Sequence, residues 1–212
     1  MRDEETGTWW QQVSGEAIYG PLKGEHLRSV FCDEVSFGIW KQEKPQGRVL
    51  LPNSKIDQSN YAPADWEERM TRVRVATSQT PDTRLEPRTL VIGVTRGSAA
   101  RAYPFSALLK QSPIIDDLDG TPIVLVLGDD KKTVRVFERT IEGRQLEFFV
   151  KSGATPLKLV DAETASEWNF LGQAVSGPMN GKQLNQVPMI SDYWFDWKSY
   201  HPKTSIYDQG LR

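Results

Sequence analysis

The chain has 212 residues, with 26 Lys plus Arg against 28 Asp plus Glu and a formal net charge of −2. That balance excludes nucleic-acid binding driven by bulk phosphate neutralisation. One cysteine, Cys32, cannot form an internal disulfide or a thiolate zinc site, and two histidines, His26 and His201, cannot build a histidine-rich metal centre.

Residues 14–20 alternate around Ala17 and Ile18 and stop at Gly20-Pro21, the pattern of a short strand running into a turn. A second strand is predicted over 27–32, with Cys32 as a small buried hydrophobe. Residues 36–43 read as one or two helical turns, capped by Ser36, with Phe37 and Trp40 on one face. Residues 51–87 form a polar connector containing Pro52, Pro63, Pro81 and Pro87. It holds a helical turn at 65–70 and a short alternating stretch at 72–75, and is anchored by Tyr61 and Trp66. Strands follow at 90–95 and 99–103 around a turn at 96–98, and Pro104 opens a helix over 105–110. Residues 114–117 lead to the turn Asp119-Gly120. The apolar, β-branched run 122–127 suits a central strand buried on both faces. Residues 133–140 and 145–151 flank Glu142-Gly143 as a hairpin, and 156–161 and 171–176 are further short strands. The helical stretch within 191–200 ends near His201, where a cation would complement the helix dipole. The fold class is therefore mainly β: a sandwich or barrel-like body of short antiparallel strands with a few short helices.

The chain repeats itself. Asp3, Thr6, Thr8 and Trp10 recur in order as Asp161, Thr164, Ser166 and Trp168. After the loss of one residue, Gly15, Ala17, Gly20, Pro21 and Leu22 recur as Gly172, Ala174, Gly177, Pro178 and Met179. Gly24, Leu27, Val30, Trp40 and Pro45 then match Gly181, Leu184, Val187, Trp197 and Pro202. Glycines, prolines and tryptophans in register describe a shared backbone path with its core anchors. The second occurrence has a long preface, about residues 85–160, that the first lacks. The expected organisation is 1–50 as the C-terminal part of a first copy, 51–87 as the connector and 88–212 as a complete second copy. On this reading the first copy is truncated, leaves apolar surface open and invites self-association.

Three stretches resemble a known family, the domain-of-unknown-function family 3179. They are Leu90-Val91-Ile92-Gly93-Val94 followed by Ala100-Arg101-Ala102-Tyr103-Pro104, then Asp119-Gly120-Thr121-Pro122, and then Gly172-Gln173-Ala174-Val175-Ser176-Gly177-Pro178 with its earlier echo at 15–21. The resemblance implies a bacterial protein carrying two copies, exported or envelope-anchored in many members. Many members also resemble one another in a close cysteine pair just after the β run. Here that place is Leu125-Val126-Leu127-Gly128-Asp129-Asp130, without cysteine, so a metal or redox role is not carried over.

The candidate ligand-binding residues are Arg101, Tyr103, Asp116 and Asp117. Arg101 and Tyr103 lie two apart on a strand and share one face, where they could hold an anion. Asp116, Asp117 and Asp119 could bind a hard cation or act as an acid–base pair; the simpler reading is a solvated turn whose aspartates bond local backbone. Trp10, Trp40, Trp168 and Trp197 recur in register as core anchors do, which leaves Trp9 and Trp66 as surface aromatic candidates. There is no G-x-S-x-G elbow and no phosphate-cradling glycine loop. No metal site and no cofactor are expected. The leading expectation is a non-catalytic binding or scaffold module for a small ligand or protein partner. The alternative is an enzyme or metal-handling protein whose reactive centre lies mostly in the absent part of the first copy. The longest apolar-rich run, 122–127, falls far short of the about 20 residues a helix needs to span a bilayer. With no apolar leader at 1–7, the chain as written is expected to be soluble.

Overall fold

The computed structural model describes residues 1–28, 30, 32–51, 62–75 and 82–208. They fall into two compact units, Met1–Asp33 and Glu34–Arg212. The described residues are mainly strand, with four short helices, all in the second unit. No helix among the described residues is long and apolar enough to cross a membrane.

In the first unit, β1 (Trp9–Trp10) pairs antiparallel with β2 (Ala17–Tyr19). A register shift sets Trp9 opposite Tyr19 and Trp10 opposite Ala17. A polar clip ties this hairpin together. Asp3 accepts from the Thr6 backbone N–H (2.6 Å), the Thr6 hydroxyl (2.9 Å) and the Trp10 indole N–H (2.8 Å). The Thr6 hydroxyl meets that of Thr8 at 2.6 Å. The Leu22 N–H donates to the Thr8 hydroxyl at 3.4 Å. The predicted strand at 27–32 is not formed: Leu27, Arg28, Val30 and Cys32 carry no strand pairing, and Ser29 and Phe31 lie outside the described residues. Cys32 is exposed, not buried.

The second unit opens with α1 (Phe37–Glu43). Ser36 caps it, its side chain accepting from the Ile39 N–H at 3.3 Å, and Phe37 stacks on Trp40. α2 (Trp66–Arg72) follows. Val73, Arg74 and Val75 continue it as irregular backbone, not as the alternating strand expected at 72–75. Tyr61, the other expected anchor of the connector, lies outside the described residues, as do Pro52 and Pro81.

From residue 90 onward the elements are β3 (Leu90–Arg96), β4 (Ala99–Pro104), α3 (Phe105–Lys110), β5 (Ile114–Leu118), β6 (Thr121–Leu127) and β7 (Val134–Glu138). There follow β8 (Thr140–Ile141), β9 (Arg144–Gln145), β10 (Phe148–Val150), β11 (Lys158–Asp161), β12 (Glu167–Asn169) and β13 (Ala174–Ser176). β14 (Met189–Tyr193), α4 (Trp194–Tyr200) and β15 (Ser205–Ile206) complete the chain. The expected long hairpin at 133–151 is reduced to the two-residue ladder β8–β9. β7 instead pairs with β6, and β10 with β11, so its two arms diverge into different sheets.

Three sheets stack as layers, in the orders β14-β3-β4-β15, β5-β6-β7 and β10-β11-β12-β13. β6 is the middle strand of the middle sheet and is buried on both faces. Its alternation divides the core. Ile123, Leu125 and Leu127 join Ile92 and Val94 of β3, Tyr103 of β4 and Leu108 of α3 on one side. Val124 and Val126 join Phe148, Leu159, Trp168 and Ala174 on the other. This is why 122–127 reads as an unbroken apolar run instead of an alternating one. A third cluster, Val91 and Ala102 with Trp194 and Trp197, packs α4 onto the outer face of β3–β4. The Trp197 ring lies so close to Gly93 that a Cβ there would fall 2.3 Å from it.

The hairpin β12–β13 is held by a clip of its own. Asp161 accepts from the Thr164 N–H (2.6 Å), the Thr164 hydroxyl (2.7 Å) and the Trp168 indole N–H (2.8 Å). The Thr164 hydroxyl meets that of Ser166 at 2.7 Å, and the Met179 N–H donates to Ser166 at 3.0 Å. A register shift between Glu167 and Trp168 matches that between Trp9 and Trp10. Both hairpins leave through a glycine at positive φ pressed against the clip. A Cβ on Gly20 would lie 2.8 Å from the Thr8 Cα, and one on Gly177 would lie 2.7 Å from the Ser166 Cα.

Candidate functional site

Of the four predicted ligand-binding residues, three meet. Strand alternation puts Arg101 and Tyr103 of β4 on one face, and Asp116 of β5 lies opposite them. Asp116 Oδ2 accepts from Arg101 Nη1 at 2.5 Å and from the Tyr103 hydroxyl at 2.8 Å. Arg101 also donates to the Asp117 carbonyl (3.1 Å) and to Ser205 Oγ (3.0 Å). Tyr103 is fully buried and stacks on Tyr207 with ring centres 5.3 Å apart. Burial, then the Asp116 carboxylate, pushes the Tyr103 phenol well above its ordinary range, so it acts as a permanent donor. The Asp117 side chain turns away to accept from the Gly120 N–H at 2.9 Å, serving the turn. Arg101 is thus spent on a carboxylate of its own chain, and the cluster pins β4 to β5.

The remaining expectations separate by exposure. Trp9 is 49% exposed, and Trp66, the first residue of α2, is 48% exposed. Trp10, Trp168, Trp194 and Trp197 are buried, whereas Trp40, expected as a core anchor, is only half-buried. His201 caps α4 at its C-terminal end, in surroundings that work against the cation expected there. Burial lowers its pKa, and its ring lies on Trp197 with centres 3.9 Å apart.

A second polar cluster escaped the sequence reading. Arg135 occupies β7 between Val134 and Val136, and its side chain is 2% exposed. Both terminal nitrogens engage Glu43, the last residue of α1, at 2.6 and 2.9 Å. The guanidinium lies over Phe170, 4.7 Å from the ring centre. The fork-to-fork geometry suits a desolvated pair. The available signal was a lone arginine inside the apolar strand Val134-Arg135-Val136-Phe137; its partner, 92 residues away, gave none.

Beside this pair a cavity of about 370 Å³ opens between α1 and the sheet, lined by Ile39, Gln42, Glu43, Leu157, Asn169 and Phe170 among others. A neighbouring hollow of about 470 Å³ shares Ile39, Gln42, Asp129 and Pro156 with it, so the two form one groove. Asp129 braces the rim, accepting from the Leu157 N–H at 2.6 Å. Asp130 also lies on the rim. Burial works against its charge, yet hydrogen bonds from Ser36 and Thr133 hold its carboxyl down at about 2. The groove offers apolar walls with amide and carboxylate groups at its edge, a composition suited to binding. Among the described residues no three of His, Cys, Asp and Glu cluster so as to hold a metal ion.

No curated protein and no solved structure matches the chain. A family model described as a protein of unknown function, DUF3179, matches residues 1–204. The match spans nearly the whole sequence, and the chain belongs to the DUF3179 family.

Proposed function

We propose that this chain is a non-catalytic binding module of a bacterial envelope or exported protein, and that it takes its ligand in the groove between α1 and the sheet. One observation carries the reading: an apolar groove with amide and carboxylate edges, set against a buried Arg135–Glu43 pair that fixes α1 as its wall. A buried, bidentate ion pair fixes geometry more than it adds stability, which is the property a preformed wall needs. The Arg101–Tyr103–Asp116 cluster supports the same reading, since its donors and acceptors satisfy one another. The chain further reads as the C-terminal part of one repeat copy (1–50), a connector (51–87) and a complete second copy (88–212). The matching Asp3 and Asp161 clips support that reading.

A fragment screen by ¹H–¹⁵N NMR on the whole chain tests the function. Hits are expected to move the Gln42, Asn169 and Leu171 signals together and to be recovered chemically unchanged. Hits that avoid the groove, or that are turned over, would refute the proposal.

A further inference from the structure

The first unit exposes a different surface, whose residues are independent of the groove. In the first unit Arg2 bridges Trp9 antiparallel, and Trp9 is the direct cross-strand partner of Tyr19. Residues directly opposed on antiparallel strands point to the same face, so Arg2, Trp9 and Tyr19 form one lateral row. The register shift after Trp9 turns the next pair, Trp10 and Ala17, into the buried side. Tyr19 is 70% exposed, more than Trp9. The Trp9 indole N–H, the Tyr19 hydroxyl and the Arg2 guanidinium have no hydrogen-bond partner among the described residues.

The fold does not require these rings. The hairpin β12–β13 follows the same path with the same clip, shift and exit glycine. There the corresponding row is Val160, Glu167 and Ser176. Its centre is polar, with Glu167 taking both Lys151 and Lys158. The aromatic row is therefore a property of the first unit alone. It presents two exposed rings whose polar tips and flanking guanidinium are all unspent.

We propose that Arg2, Trp9 and Tyr19 form a stacking platform for a neutral, pyranose-based glycan. The C–H faces of successive sugar rings lie on the indole and the phenol. Their hydroxyls bond the indole N–H, the phenolic OH and the guanidinium, groups that stay polar at the rim of an apolar ring. Charge selects a neutral glycan over an acidic one. The unit carries Arg2, Lys23 and Arg28 against Asp3, Glu4, Glu5, Glu16, Glu25 and Asp33, and that surplus of carboxylates repels an anion.

The second hairpin supplies the test variant, because its residues are compatible with this backbone. The whole chain is titrated with hexasaccharides of β-1,4-linked glucose and of β-1,4-linked N-acetylglucosamine, followed by tryptophan fluorescence and NMR. Saturable binding is expected for at least one of them. Trp9→Glu combined with Tyr19→Ser should weaken it by about tenfold or more, the scale of one lost aromatic stack, with an unchanged melting temperature. Trp66→Ala, at the other exposed tryptophan, should leave it unchanged. Saturable binding of neither hexasaccharide, equal binding by the double variant, loss through Trp66→Ala alone, or binding only of a proline-rich peptide would each overturn the proposal.

Discussion

Replacing Glu43 by Ala removes the carboxylate from a guanidinium that stays buried. Arg135 has a side chain only 2% exposed, and Glu43 is 18% exposed. Breaking such a pair from one side costs about 3–5 kcal/mol, because the guanidinium stays desolvated after losing its bidentate carboxylate. The Phe170 ring still faces the guanidinium, so the lower end applies, about 3 kcal/mol. For a chain of this size each kcal/mol lowers the melting temperature by about 2–4 °C, so a drop of about 6–12 °C is expected. Arg135→Met should cost less, since the partly exposed Glu43 can turn to water. The double variant Glu43→Leu with Arg135→Met should lie close to the parent, because both desolvation penalties vanish together. Asp65→Ala serves as the control. It breaks a pair with Arg69 whose side chains are 50% and 65% exposed, and it should cost less than about 1 kcal/mol. Urea denaturation of the set measures all four. A Glu43→Ala cost no larger than the control's, or a double variant less stable than Glu43→Ala, would refute this role for the pair.

Two further outcomes follow from the packing and the charges. Gly93→Ala should destabilise by about 1–3 kcal/mol or more, because the new Cβ would fall 2.3 Å from the Trp197 ring; denaturation with near-UV circular dichroism of the tryptophans reads the displaced α4. Asp192 is pushed up to about 6, first by burial and further by Asp196, although the Tyr193 N–H pulls the other way. Its folded value lies above its unfolded one, so the stability it contributes is complete below about pH 4 and is lost as pH rises through about 6. Asp192→Asn should therefore stabilise the chain near neutral pH and gain nothing in acid, and a difference independent of pH in urea titrations would refute this.

Where a structural cause was local, the residues announced it. Ser36 at a helix start, Asp119-Gly120 at a turn and the apolar run of β6 each act within a few positions. The pairing of Arg101 with Tyr103 followed from strand alternation alone. The Asp116 side chain that joins them, and Glu43 on Arg135, depend on which strands and helices become neighbours. No local pattern carries that information. The same limit explains why the hairpin at 133–151 is shorter than expected. Its turn is real, but Phe148 finds Trp168 as a core partner, with ring centres 5.7 Å apart, and the arms separate to bury both. The strand expected at 27–32 failed for a related reason. Leu184 and Val187, the residues matching Leu27 and Val30, are 3% and 1% exposed against 46% and 81%. Val187 reaches a neighbour by donating its N–H to the Val136 carbonyl. The run 27–32 by itself does not show which segment would lie beside it.

The parallel pairing of β15 with β4 has a consequence for solubility. β15 is two residues long, yet it aligns Ser205 with Arg101 and Ile206 with Ala102. Tyr207 then donates its backbone N–H to the Ala102 carbonyl and lays its ring on Tyr103. Without it, the outer rim of β4 would present unpaired backbone groups, a template on which other chains can add. A segment too short to stabilise a sheet by itself thus works as a guard against intermolecular strand addition. Loosening it at Tyr207 would show first as aggregation, before any loss of the core.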